Sequence, residues 1–138
     1  MTINVYFAEL SDYIRRHYDK SLSFSKVSEK EVCVAYEQNI IVRTVQIPLN
    51  ISIDEVLADK VAITYNGGFG LANKIIAGAL SYMKAKLPEF EKVLVPTNEH
   101  SLCIELSQLS QTKAIVEKMC LKEIKVSDDR FEIKALLK

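Results

Sequence analysis

Ile41-Val42-Arg43-Thr44-Val45-Gln46-Ile47-Pro48-Leu49-Asn50-Ile51-Ser52-Ile53 is the stretch from which this chain is read. Ile41, Val45, Ile47, Leu49, Ile51 and Ile53 hold every odd position but one, and Arg43 alone breaks the series. The even positions are mostly small or polar: Thr44, Gln46, Pro48, Asn50 and Ser52. Side chains alternate across a β-strand, so the stretch predicts one long ribbon with an apolar face and a wet face. Pro48 lacks a backbone donor and belongs at a sheet edge or a bulge. A ribbon apolar on one face needs a cover.

The cover lies downstream, where the period changes. Leu71, Ile75, Ile76, Ala79, Leu80 and Met83 trace one helical face, widened by Ala72, Gly78 and Tyr82. Lys74, Lys84 and Lys86 mark its wet side, and Pro88 stops a helix predicted over residues 71–87. Apolar coverage this broad implies deep burial, or contact with something beyond the sheet.

On the N-terminal side, Ile3, Phe7, Leu10 and Ile14, with Tyr6 and Tyr13, recur at helical spacing. Arg15, Arg16, His17 and Lys20 follow, where cations suit a helix C-terminus. A helix over about residues 4–19 is expected; the alternative is a strand over Ile3–Phe7 that turns into a helix at Ser11, because Val5-Tyr6-Phe7 also suits a strand. Leu22 and Phe24, then Val32, Val34 and Tyr36, then Val61, Ile63 and Tyr65 alternate in short runs. Turns are expected at Ser28-Glu29-Lys30, Glu37-Gln38-Asn39 and Asn66-Gly67-Gly68. Connections so short leave no room for crossover helices, so the strands read as an antiparallel meander.

Beyond the long helix, Val93-Leu94-Val95 and Leu102–Leu106 suit strands around a turn at Pro96-Thr97-Asn98-Glu99. Leu109, Thr112, Val116 and Met119 suit a short helix. The chain closes on a hairpin, with Ile124 and Val126 facing Phe131, Ile133, Ala135 and Leu137 across Ser127-Asp128-Asp129-Arg130.

The 138 residues fit one domain, 1–138, long enough to bury roughly two thirds of its unfolded surface. Hydrophobic residues make up 49% and charged ones 26%, a globular rather than a disordered composition. Lysine plus arginine balances aspartate plus glutamate at 18 each, so there is no global attraction for nucleic-acid phosphates, and no nucleic-acid partner is expected. No window approaches the ~18 uncharged apolar residues of a transmembrane segment. Residues 1–6 lack the basic start and apolar core of a secretory signal. Cys33, Cys103 and Cys120 are odd in number and far apart, which suits buried reduced thiols in a cytoplasmic protein.

The polar constellations each have a plainer reading. Gly67-Gly68-Phe69-Gly70 lies between a strand and a helix, where backbone donors could hold a phosphate. It lacks a P-loop ending, and Asn73 stands where a dinucleotide fingerprint needs its third glycine. A turn with positive φ accounts for the same glycines. His100 and Cys103 form a His-x-x-Cys pair with no second pair to complete a zinc site. His17 reads as a cation at a helix end. Asp54-Glu55 and Asp128-Asp129 fall where turns are expected rather than where acid–base chemistry needs them. Tyr13 and Tyr18 beside Arg15 and Arg16 form a minor candidate face for single-stranded nucleic acid. No catalytic residue, metal or cofactor is read.

The expected fold class is α+β: an antiparallel sheet of about six to eight strands around a central ribbon near residues 40–56. An N-terminal helix, a long apolar helix over about 70–87 and a short helix over about 108–119 pack on it. Packed directly together, helix and ribbon are a core. Held apart by Ala72, Ala77, Gly78 and Ala79, they line a groove for an apolar ligand or lipid. One wall is then Leu71, Ile75, Ala79 and Met83, and the other Val45, Ile47, Leu49 and Ile51. The functional expectation is a non-enzymatic binding module using that groove. The alternative is a protein–protein interaction or self-assembly module, a homo-oligomer paired through the ribbon edge at Pro48. An enzyme holding a phosphorylated substrate at the glycine turn comes third.

Overall fold

The computed structural model describes residues 1–40, 43–86 and 88–138. In chain order its elements are β1 (Thr2–Tyr6), α1 (Phe7–Tyr18), β2 (Leu22–Ser28), β3 (Glu31–Ile40), β4 (Arg43–Val56), β5 (Lys60–Gly67) and α2 (Ala72–Lys86). There follow α3 (Phe90–Val93), β6 (Leu94–Asn98), β7 (Ser101–Glu105), α4 (Ser110–Lys118), β8 (Met119–Val126) and β9 (Arg130–Leu137). Short 3-10 turns precede α2 at Gly68–Gly70 and α4 at Leu106–Gln108. The fold is α+β, and its strands form two antiparallel sheets, β2-β3-β4-β5-β7-β6 and β1-β9-β8.

The long ribbon is β4, 14 residues at the centre of the larger sheet. Val34 and Val32 of β3 stand opposite Leu49 and Ile51, while Tyr65 and Ile63 of β5 stand opposite Ile51 and Ile53. Opposed residues share a face, so the odd positions of β4 join an apolar surface that also carries Leu22, Phe24, Leu102 and Ile104. Ile47 and Leu49 are buried, while Val45, Ile51 and Ile53 are half-buried. Thr44, Gln46 and Pro48 point the other way and are exposed; Asn50 and Ser52 are half-buried among polar neighbours. Ser52 Oγ donates to Glu31 Oε1 at 2.9 Å, and Thr64 Oγ1 donates to Asp54. An antiparallel sheet tolerates one such solvated face. Ile41, the first apolar position of the ribbon, and Leu87, the expected last residue of the long helix, lie outside the described residues.

α1, α2 and the small sheet pack on the apolar face as a second layer. Phe7 of α1 meets Phe131 of β9 edge-on at 5.1 Å and Phe24 of β2 at 5.9 Å. Each such ring pair contributes about 0.5–1.5 kcal/mol beyond its buried area. Val32, Phe7 and the wholly enclosed Val126 of β8 complete this part of the core. The other part gathers Leu49, Val61, Ile63, Tyr65, Ala72 and Leu102, with Ile75, Ile76 and Leu80 of α2 resting on them.

Several local expectations shift once long-range pairing is taken into account. The residues ahead of α1 form a strand, because Ile3 and Val5 pair with Ile133 and Phe131 at the far end of the chain. The strand alternative named that segment, but the helix begins at Phe7, not Ser11. Glu37 and Gln38 continue β3 opposite Gln46 and Val45 instead of turning; a continuous ladder outweighs weak turn preferences where no Gly or Pro intervenes. Asp54-Glu55 occupies a bulge in β4 where the register against β5 shifts. Val93 ends the one-turn α3, the following hairpin turns at Glu99-His100, and Met119 opens β8 rather than closing α4. Pro48 pairs with Ala35 of β3, but β5 reaches β4 only from Leu49 onward. Its missing donor therefore falls on a locally free edge, where proline is tolerated.

Candidate apolar cleft

The helix α2 is fixed at both ends and, between them, by Ile76 and Leu80 on the core. At its start, Gly68 is buried with φ +64, and a Cβ there would lie 2.6 Å from Ile75 Cδ1. Gly67 and Gly70 also have positive φ, +91 and +82, where glycine avoids the strain that a Cβ imposes. This turn sets Ala72, Ile75 and Ile76 onto the core around Leu49. At the other end, the Tyr82 hydroxyl donates to the carbonyl oxygen of Tyr18 at 2.7 Å. That carbonyl is in the last turn of α1, where no intrahelical donor reaches it.

Between the anchorages α2 presents Gly78 and Ala79, and no atom lies within 4 Å of a Cβ placed on Gly78. Ile76 and Leu80 close α2 onto the core around Leu49, whereas its Gly78-Ala79 side faces an opening toward α1. A cleft of about 750 Å³ remains, within the range of about 300–1,000 Å³ usual for small-molecule sites. Leu49 and Ile51 of β4, Val34 and Tyr36 of β3 and Leu22 of β2 form its floor. Ile14 and Tyr18 of α1 close one side, and Leu71, Ile75, Ile76, Ala79, Tyr82 and Met83 form the roof. Lys20, Ser21, Glu37 and Lys74, all exposed, stand at the rim.

Six of the eight groove residues expected from sequence line this cleft: Leu49, Ile51, Leu71, Ile75, Ala79 and Met83. Val45 and Ile47 do not. α2 rests on the core that β4 shares with β5 and β7, and its Leu71-Ile75-Ala79-Met83 face looks over β3 and β2 toward α1, so the ribbon supplies two floor positions and its neighbours supply the rest. Ile47 lies instead under the glycine turn, its Cγ2 4.0 Å from a Cβ on Gly68. Among the expected spacers, Ala72 is buried in the core and Ala77 is exposed away from the lining. Ile14, Tyr18, Leu22, Val34 and Tyr36 line the cleft beyond the eight residues expected from sequence. Their apolar periodicity is visible in the sequence, but their convergence depends on strand pairing and the docking of α1.

The rim is cationic around an aromatic ring. Lys20 Nζ lies 4.8 Å and Lys86 Nζ 5.5 Å from the Tyr82 ring centre, contacts worth about 0.5–1 kcal/mol each at exposed sites. Burial raises the pKa of the Tyr18 hydroxyl above its ordinary value, which keeps it neutral beside the apolar lining. Glu37 follows Tyr36 in β3, so strand alternation turns its carboxylate to the outer face, where it accepts from Gln46 Nε2 at 3.3 Å.

The other polar candidates are not brought together at this site. His100 packs edge-on against Tyr65 at 6.3 Å, whereas Cys103 donates to Glu105 Oε1 at 3.6 Å. Burial, with the Glu105 carboxylate, pushes the Cys103 thiol up and so disfavours the nucleophilic thiolate. His17 stacks on Tyr13 at 4.1 Å, with Nδ1 3.0 Å from the Tyr13 carbonyl oxygen. Arg15 and Arg16 both pair with Asp12, at 2.5 and 2.8 Å, which offsets one of their two charges on the tyrosine face of α1. Asp128-Asp129 forms the β8–β9 turn, with Asp129 paired to Arg130 at 2.7 Å. Among the described residues no group of three or more His, Cys, Asp and Glu side chains could hold a metal ion. No helix among them is long and apolar enough to cross a membrane. Comparison with protein families, curated proteins and solved structures gives no match to this chain.

Proposed function

We propose that the protein is a non-enzymatic binding module that takes one apolar ligand, a lipid or similar chain-like molecule, between α2 and the larger sheet. The observation carrying this reading is the cleft of about 750 Å³ walled by aliphatic and tyrosine side chains. Side chains facing an unfilled gap lose dispersion contacts on that side. An apolar occupant restores them and removes its own surface from water, at about 25 cal/mol per Å² buried. The lining suits partition of a ligand better than chemistry on it. Native mass spectrometry before and after organic extraction tests the reading. A bound mass lost on extraction is expected, with the stripped protein taking up cis-parinaric acid. A protein that carries no such mass and enhances no parinarate fluorescence contradicts it.

A second reading, self-assembly through the ribbon, is favoured by one observation. Arg43–Pro48 of β4 pairs with β3 but extends beyond β5, and an unpaired strand edge is a template for a second chain. Sedimentation of the wild type and of a Gln46→Pro variant separates the two readings. A concentration-dependent dimer abolished by the substitution supports assembly; a monomer in both leaves the cleft reading alone.

A further inference from the structure

The proposed apolar ligand leaves one end at the rim, and the chemistry of that rim is one-sided. Lys20 and Lys74 both line the cleft, and Lys86 shares the Tyr82 ring with Lys20. Among the described residues none of these three lysines forms an ion pair. Elsewhere Arg15, Arg16, Lys30, Lys125, Arg130 and Lys134 have carboxylate partners and the other described cations do not, so Lys20 and Lys74 are set apart by their place on the apolar cleft and not by being unpaired. Among the described residues that line the cleft, the one acid is Glu37, which is turned to the outer face of the sheet and held by Gln46. With the overall charge at zero, this local excess is not a by-product of a basic chain.

We infer that the ligand is an anionic amphiphile, a single apolar chain in the cleft with a carboxylate, sulfate or phosphate head at the rim near Lys20 and Lys74. The inference rests on the cleft being the ligand site and adds the chemistry of its polar end. An anion there gains attraction from two or three ammonium groups beside a low-dielectric wall, where fields are less screened than in open water. Lysine suits this role, since its flexible stem lets a point charge follow the head wherever the chain length places it. Lys20 has a further reason to face the cleft, because its ammonium already rests on Tyr82, a roof residue.

The test compares cis-parinaric acid with its methyl ester, which share a chain and differ in charge. The wild type should bind the acid about tenfold more tightly than the ester, about 1.4 kcal/mol. That gap should shrink as salt is raised, since exposed charges are screened. In a Lys20→Met, Lys74→Met double variant, the acid should fall to the affinity of the ester while the ester binds as before. Thermal melts of the variant separate a folding defect from a binding defect, and unchanged ester affinity shows an intact cleft. Equal binding of acid and ester by the wild type overturns the anionic head and leaves the apolar-ligand reading standing. A gap that persists in the double variant also overturns it, because the charge is then read elsewhere. If neither probe binds, both readings fall.

Discussion

The Tyr82 hydroxyl donates a 2.7 Å hydrogen bond to the Tyr18 carbonyl oxygen, joining the last part of α2 to the end of α1. The bond spans one end of the cleft and holds the helix over the gap. Tyr82→Phe keeps the ring and removes only the donor. A loss of about 1 kcal/mol is expected, with faster amide hydrogen exchange in the second half of α2. Unchanged exchange there means that packing alone holds the helix.

Gly68 and Gly78 should respond in opposite directions to the same change. At Gly68 a Cβ meets Ile75 Cδ1 at 2.6 Å and the backbone has φ +64, so Gly68→Ala should destabilise by about 1–3 kcal/mol. At Gly78 the added methyl enters open space inside a helix, and alanine there should stabilise by about 0.5–1 kcal/mol. Urea denaturation of both variants measures the pair. Destabilisation at Gly78 means that a neighbour closes the space beside it.

Two phenylalanines give a further contrast. Phe7 is buried against Phe24 and Phe131, where truncation to alanine typically costs about 3–5 kcal/mol. Phe69 is 71% exposed in the glycine turn, so Phe69→Ala should change stability by no more than about 0.5 kcal/mol. Melting temperatures of the two variants decide the matter.

Acid should weaken the protein in the carboxylate range. A hydrogen bond from Arg15, with Arg16 nearby, holds Asp12 below its ordinary pKa, and Ser127 and Arg130 do the same for Glu132. A carboxyl lowered in the folded state contributes stability above its unfolded pKa of about 4, and that contribution is lost as pH falls through the lowered value. The Asp12 pair is largely exposed and Glu132 half-buried, so raised salt should flatten the dependence, most of all the part due to Asp12. Urea midpoints across this range should fall with acid, and less so in Asp12→Asn. An identical pH dependence in that variant contradicts the assignment.

The parts legible in the sequence are those governed by local period. The alternation of β4 and the helical stripe of α2 follow directly from residue spacing, as does the meander β2-β3-β4-β5, whose connections are too short to be anything else. The parts that were not legible are set by partners far apart in the chain. β1 is a strand because β9 lies beside it. The division into two sheets depends on Phe7, Phe24 and Phe131 meeting from three separated segments. For the cleft, the α2 wall follows from its own periodicity, whereas the floor depends on where α1 and α2 dock on the sheet. Leu49 and Ile51 belong to the floor, Val45 and Ile47 do not, and Val34, Tyr36 and Leu22 lie between the two helices in their place.

The most direct measurement places a phenylalanine in the gap. Ala79 lines the cleft, so in Ala79→Phe the ring enters free space if the space between α2 and α1 is open. An open cleft predicts a melting temperature equal to or above that of the wild type, together with reduced uptake of a fluorescent fatty acid. In a close-packed core the same ring overpacks, costing about 1–3 kcal/mol and lowering the melting temperature by several degrees. Clear destabilisation, with no fatty-acid binding by the wild type, contradicts the cleft and with it the proposed ligand.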